Sequence, residues 1–203
     1  MRDSVKFILK NSIIFALVSF TFSIIGGLFP ESEHTFIIGN PLVVSGITIE
    51  HVMGHIFWGA VIGLATLSIR YIILGGSFGI LLDADHLLQF LDIELVSRMS
   101  HSVPFAVIVA IVFLIIFKGK NLRISVVAFS AVLSHIAFDV FLADVAFSTT
   151  TTFPLFSPFI LESIEFGGFD WLGIQISGVS IVALVSYLSK RKEIRLKSNP
   201  TKT

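Results

Sequence analysis

Six stretches of this 203-residue chain are long and apolar enough to cross a lipid bilayer as helices, and no other feature restricts its architecture as tightly. Crossing the hydrocarbon core as a helix takes roughly 18 to 22 consecutive, mostly apolar residues. Such stretches run near 11–29, 50–69, 71–90, 103–117, 124–147 and 171–189, the third and fourth being the weakest and the fourth, at about 15 residues, shorter than the rest. Hydrophobic residues make up 54% of the chain and charged residues 14%, more apolar surface than a soluble domain of this length can bury. Inside lipid each peptide group must find its partner within the protein, which leaves helices as the solution for this pattern. The expectation is therefore an all-α, polytopic membrane helix bundle of about six transmembrane helices. With no internal repeat and no long polar linker, 1–203 reads as a single transmembrane domain. Lys6 and Lys10 precede the first stretch as they would in a secretory signal, but no A-x-A site follows, so it is expected to remain as a mature helix.

The distribution of charge fixes an orientation. Lys and Arg near the ends of spans are retained in the cytoplasm. With both termini cytoplasmic, Arg2, Lys6, Lys10, Arg70, Lys118, Lys120, Arg123 and the basic tail over 190–203 all fall inside, which is 13 of the 14 basic residues. Only Arg98 lies outside. Of the 14 acids, Asp3 and Glu193 are inside and the other 12 fall in outer loops or within spans. Five or seven spans would destroy this segregation. Basic and acidic residues balance, so no net field argues for nucleic acid, and the expected surroundings are membrane lipids of the inner, cytoplasmic membrane.

The polar residues inside the spans gather on one side of this map. His51 and His55 lie in the outer half of the second span, and Asp83, Asp85 and His86 in the outer part of the third. His101 opens the fourth span from outside, while His135 and Asp139 occupy the middle to outer half of the fifth. Helices running in opposite directions thus deliver polar groups to a similar depth. His51 and His55 are four residues apart, as are His135 and Asp139, so each pair projects from one helical face about 6 Å apart. Asp83 and His86, three apart, do the same. Asp85 points about 100° away from His86 on a regular helix, leaving a second metal, a supporting role behind a ligand or a distorted turn open for it. At roughly 3 kcal/mol each, three unpaired aspartates near mid-bilayer would cost on the order of 10 kcal/mol, so cations or hydrogen bonds must offset them.

The chain has no cysteine, so any metal is held by nitrogen and oxygen. Imidazole with carboxylate suits Zn²⁺ first, then Mn²⁺ or Fe²⁺, and a pure oxygen cage for Ca²⁺ less well. His55, Asp83, Asp85, His86, His101, His135 and Asp139 are more candidate ligands than one four-coordinate ion uses, which leaves room for more than one. An ion with an open position lowers the pKa of bound water to about 7, and hydrolysis is the simplest chemistry such a site offers. Asp85, Arg98 and Ser134 are the candidates for the catalytic step: the acid to relay a proton, the guanidinium to hold a phosphate or an oxyanion, the hydroxyl as a donor rather than a nucleophile. The competing reading of Arg98 is snorkelling to the headgroups or pairing with Asp92 or Glu94. Ser100, Ser102 and Ser134 compete with ordinary helix-packing serines. His51 sits near the water boundary beside Glu50, which leaves both a ligand role and a solvated helix end open for it, and His34 in the outer loop is given no role.

Three segments carry a resemblance. Asp83-Ala84-Asp85-His86 after Gly-Ile-Leu-Leu, then Ser97-Arg98-Met99-Ser100-His101-Ser102, then Ser134-His135-Ile136-Ala137-Phe138-Asp139 resemble, in the same order, the signature blocks of the YdjM-like inner-membrane metal-dependent hydrolases. Those blocks read approximately L-P-D-x-D-H, H-R-G-x-T-H-S and S-H-x-x-x-D. His55-x3-Gly59-x3-Gly63 resembles the family's early H-x3-G-x3-G helix and Pro154-Leu155 its later Pro-Leu, so the likeness covers about 51–158. The chain departs from the pattern at Leu82, Ser97 and Met99, and Ser97 removes one possible ligand. The resemblance implies a membrane-embedded, metal-dependent hydrolase; a more distant likeness to zinc-dependent phospholipase C implies phosphoesters.

Two other classes stay in view. A transporter or channel relaying protons or divalent ions would prefer polar residues continuing to the inner face, and the inner halves of the spans are almost purely apolar. A non-catalytic protein with a structural metal would close the coordination sphere. The outer segment from 148 to 170, with five phenylalanines and two prolines, is too apolar for a water-exposed loop. It is expected in the interface or folded back over the bundle, either as a lid or as simple anchoring.

Overall fold

The computed structural model describes residues 2–29, 36–44, 47–93 and 95–198. His34 and Glu94 lie outside the described residues. Helix α1 runs Arg2–Gly26, a short α2 Pro41–Val44, α3 Ile49–Leu64, α4 Ile69–Leu81, α5 Val103–Ile116, α6 Leu122–Phe147 and α7 Asp170–Ser198. The elements are thus predominantly helical, and each expected apolar stretch holds a helix. Four helical segments are long and apolar enough to cross a membrane: Arg2–Gly26, Ile69–Leu91, Leu122–Val145 and Asp170–Arg195. α3 and α5 are equally apolar but shorter, at 16 and 14 residues.

The third stretch is not a regular α-helix throughout. α4 ends at Leu81 and the chain tightens into a 3₁₀ segment, Leu82–Leu91, closed by Asp92 in a left-handed conformation. Runs of 3₁₀ beyond three or four residues are uncommon and often mark a functional distortion. Two small antiparallel pairs were not expected from the sequence. β1, Phe36–Ile38, pairs with β2, Leu95–Ser97; β3, Thr151–Phe153, pairs with β4, Ile164–Phe166. Three-residue strands carry almost no periodic signal, which is why the apolar segment around them reads only as something folded back.

Neighbouring helices alternate in direction. Phe7 of α1 meets Tyr71 of α4 and Phe117 after α5, and Tyr71 donates to Asn121 at the start of α6. Arg123 pairs with Glu193 of α7 at the same end, at 3.1 Å. Both terminal helices therefore begin or finish at this end. The opposite end collects the finish of α1, the start of α3, the 3₁₀ segment, the turn before α5 and the later turns of α6.

The core between these ends is apolar and aromatic. Phe15 of α1 stacks on Phe78 of α4 at 4.4 Å between ring centroids, and Phe78 on Phe113 of α5 at 5.5 Å. α3 and α4 approach until backbone meets backbone. A Cβ at Gly59 would collide with the Gly75 carbonyl, one at Gly63 with that of Tyr71, and one at Gly79 with that of His55. This is the close approach that small residues permit between helices in lipid. It places the His55 turn of α3 directly over the end of α4.

Candidate metal centre

All five histidines among the described residues turn their Nε2 atoms toward two aspartates. Asp83 Oδ1 lies 3.6 Å from His86 Nε2, 3.5 Å from His101 Nε2 and 3.2 Å from His135 Nε2. Its other oxygen, Oδ2, lies 3.6 Å from His51 Nε2 and 3.5 Å from His55 Nε2. Asp139 is divided in the same way, with Oδ1 at 3.2 Å from His55 Nε2 and Oδ2 at 3.5 Å from His135 Nε2. The nitrogens also approach each other: His51 and His55 at 2.9 Å, His101 and His135 at 3.0 Å.

The other ring nitrogen reveals the protonation of three of these imidazoles. His135 Nδ1 lies 2.7 Å from the Gly79 carbonyl, which can only accept, so Nδ1 carries the proton. Gln89 donates its amide nitrogen to the Gly39 carbonyl, which turns Oε1 toward His86 Nδ1 at 2.8 Å and makes that nitrogen a donor as well. Ser100 Oγ lies 3.2 Å from His101 Nδ1 and 3.5 Å from Asp85 Oδ2. Its single proton goes to the carboxylate, so it accepts from Nδ1. Partner assignment of this kind fixes the tautomer. In the neutral rings, the Nε2 atoms of His86, His101 and His135 then present lone pairs to one another and to carboxylate oxygens.

Where these three lone pairs meet the carboxylate oxygens, acceptors repel, and a cation among them would satisfy the arrangement. Ligand atoms about 2.0 to 2.2 Å from a Zn²⁺ ion stand roughly 3 to 3.6 Å from one another, and the separations here run from 2.9 to 3.6 Å. Three sets have ligand atoms mutually close enough to hold an ion: His51 with His55 and Asp83, His55 with His135 and Asp139, and Asp83 with His101 and His135. The donor set fits divalent metal. Because each carboxylate offers one oxygen to the His51–His55 side and the other to the His101–His135 side, it also fits more than one ion.

Local structure explains the convergence. The 3₁₀ segment has three residues per turn, which brings Asp83 and His86 into register. The i, i+4 pairs of α3 and α6 stack His55 on His135 at 3.7 Å between centroids. Phe138 closes against His55 from the side, 4.7 Å away. Ser97 caps the turn that carries Arg98 and His101, accepting from the Met99 amide at 3.1 Å, so the residue at the missing family histidine has a structural task.

Asp85, Ser134 and His51 sit differently from the remaining candidates. Asp85, expected as a ligand and as a catalytic acid, and His86, expected as a ligand, both fall outside these three candidate sets, His86 keeping its Nε2 3.6 Å from Asp83. Asp85 Oδ2 accepts from Ser23 of α1 and from Ser100, which supports His101 from behind. The tight turn rotates it off the Asp83–His86 face, which leaves the supporting role among the options the sequence left open. Ser134 is fully buried and lines neither chamber beside the cluster, because one residue before His135 on an α-helix faces about 100° away. His51, whose role the sequence left open, is within ligand distance of His55 and Asp83, as its i, i+4 spacing to His55 allows. Ser23 and Gln89 were missed too. They are ordinary polar residues whose relevance depends on which element they fold against.

A polar chamber of about 230 Å³ opens onto the cluster, lined among others by His51, Asp83, His86, His101, Asp139 and Arg98. Arg98 donates to the Thr152 carbonyl at 2.6 Å and lies over the Phe153 ring at 4.2 Å. Among the described residues it forms no ion pair, with Asp92 or any other acid, and its Nε has no hydrogen-bond partner. The segment after α6 thus folds back as a wall beside the cluster: Phe153 is fully buried and stacks near His101, and the Val103 amide donates to the Leu155 carbonyl at 2.9 Å. Removing the hydroxyl behind His101 should loosen the ligand rather than the fold. Ser100→Ala is expected to weaken metal affinity about 10- to 100-fold, as read by competition with a chromogenic chelator, with an unchanged melting transition.

No curated protein and no solved structure matches the chain. A family model, described as YdjM inner membrane protein, matches residues 47–198. That stretch runs from the turn before α3 to the end of α7 and contains every histidine and aspartate of the cluster, leaving α1 and its Ser23 outside. The chain belongs to the YdjM inner membrane protein family.

Proposed function

We propose that the protein is a metal-dependent hydrolase of the cell membrane, acting on an ester of a lipid or membrane-proximal molecule, a phosphoester before a carboxylic one. The observation that carries the reading is the set of imidazole Nε2 atoms converging on Asp83 and Asp139, with the far nitrogens of His86, His101 and His135 already committed as donors. Zn²⁺, Mn²⁺ or Fe²⁺ would be held by His51, His55, Asp83, His86, His101, His135 and Asp139. Such an ion supplies Lewis acidity and makes water nucleophilic at neutral pH. The chamber bordering the ligands speaks for an open coordination position, which a purely structural metal site lacks.

The chain's own residues supply the rest. Arg98 faces the chamber with hydrogen-bonding capacity to spare and would hold an anionic ester and the charge that develops on it. Ser100 and Asp85 keep the His101 lone pair aimed at the centre, and Gly79 does the same for His135. Six crossings, with α3 and α5 completing the set and both termini in the cytoplasm, put the cluster toward the extracytoplasmic face. The segregation of 13 of 14 basic residues supports this.

The test uses purified protein reconstituted with Zn²⁺, Mn²⁺ or Fe²⁺ and screened against phosphomonoesters, phosphodiesters and carboxylic esters with and without chelator. Hydrolysis that the chelator abolishes and metal restores is the expected result. Folded, metal-loaded protein that cleaves none of them, but carries ions across liposomes, would replace this reading with a transporter. Arg98→Gln is expected to lower kcat on the order of 10²- to 10³-fold, with metal content unchanged.

A further inference from the structure

The glycine contact between α3 and α4 stops at Gly79. From Ile80 onward side chains have bulk, the α-helix gives way to the 3₁₀ segment, and the start of α3 stands apart from it. Between them lies a second chamber of about 250 Å³, almost wholly apolar, walled by Val52, Ile80, Leu81, Ala84, Leu87 and Phe90. Leu87 and Phe90 are exposed, as are Ile49 and Met53 on α3, so in a bilayer this side meets lipid. His51, Asp83 and His86 border this groove and also border the polar chamber that contains Arg98. The cluster therefore stands at the junction of an apolar groove on the lipid side and a polar chamber bordered by Arg98, which has no ion pair among the described residues, an arrangement that matches one amphiphilic molecule.

We infer that the groove receives an acyl chain of a membrane lipid whose phosphate ester lies across the cluster toward Arg98. This rests on the hydrolase reading and names its substrate class: a phosphate ester of a lipid alcohol, entering sideways from the bilayer. In the reaction the water oxygen bonds to phosphorus, the bond from phosphorus to the alcohol oxygen breaks, and that oxygen takes the proton released by the water. One water is consumed, and a lipid alcohol and a phosphate, free or still carrying its head group, are released.

The groove is tested apart from turnover. Full-length protein in nanodiscs is irradiated with phosphatidic acid bearing a diazirine on its acyl chain, and labelled peptides are mapped. Labelling is expected to concentrate on 80–90, to be competed by unlabelled phosphatidic acid but not by neutral diacylglycerol, and to fall at least fivefold in Ala84→Leu and in Leu87→Glu. Labelling spread evenly over the lipid-facing helices, or competed equally by diacylglycerol, overturns the inference whatever the activity assays give. Absence of chelator-sensitive hydrolysis alongside concentrated labelling strikes the hydrolase reading and, with it, the assignment of the bound lipid as substrate. For an active enzyme, kcat/KM for long-chain phosphatidic acid relative to p-nitrophenyl phosphate should fall at least tenfold in Ala84→Leu; an unchanged ratio also counts against the groove.

Discussion

Asp83→Asn is expected to strip the cluster of metal and to reduce hydrolysis on the order of 10³-fold or more. Asp83 is the residue that both halves of the site share: one oxygen faces His51 and His55, the other His86, His101 and His135. An amide keeps the size and loses the charge. It also replaces one acceptor by a donor aimed at an imidazole, so one set of contacts changes sign. His51→Gln is the contrast, because it touches only the Oδ2 side and leaves Asp83 Oδ1, His101 and His135 in place. Metal analysis of the two variants, with circular dichroism to confirm the helices, should show near-complete loss in the first and partial retention in the second. Equal retention in both would mean that Asp83 does not bridge the two sides.

The largest effect on stability is expected at Gly63. A valine there would drive its Cβ into the backbone of Tyr71 and Ile72, atoms that a rotamer change does not move aside. Overpacking typically costs 1–3 kcal/mol, and with backbone on the receiving side the figure should reach about 3 kcal/mol or more. The same substitution at Gly173 is the control, since a Cβ there meets nothing within 4 Å; a surface change of this kind stays within about 0.5 kcal/mol. Unfolding in mixed detergent micelles reads both. Because α3 carries His51 and His55, Gly63→Val should weaken metal binding as well, from a distance.

The sequence made the six apolar helices and the pairing of polar groups on their faces legible because both depend on local pattern. Hydrophobic length locates each helix, and the i, i+4 pairs His51–His55 and His135–Asp139 need only a regular helix to share a face. What stayed hidden depends on departures from regularity or on tertiary docking. Asp85 could not be assigned without knowing that the chain tightens to 3₁₀ at Leu82. Ser23 gains its role only because α1 packs beside the 3₁₀ segment, and Gln89 because Gly39 comes within reach of its amide. Ser134 shows the reverse: its neighbour in sequence, His135, faces the cluster, and helical geometry turns Ser134 away from it. The brief strands β1 to β4 leave too short a pattern to be read.

Imidazoles and aspartates would tolerate one another in this cluster by sharing divalent cation. Metal analysis of the folded, unmodified protein, purified without chelator and dialysed after exposure to Zn²⁺, Mn²⁺ and Fe²⁺ in turn, tests this most directly. One ion or about two per chain, retained through dialysis, is the result expected of a site with bridging carboxylates. A chain that stays folded and retains none of the three would contradict it.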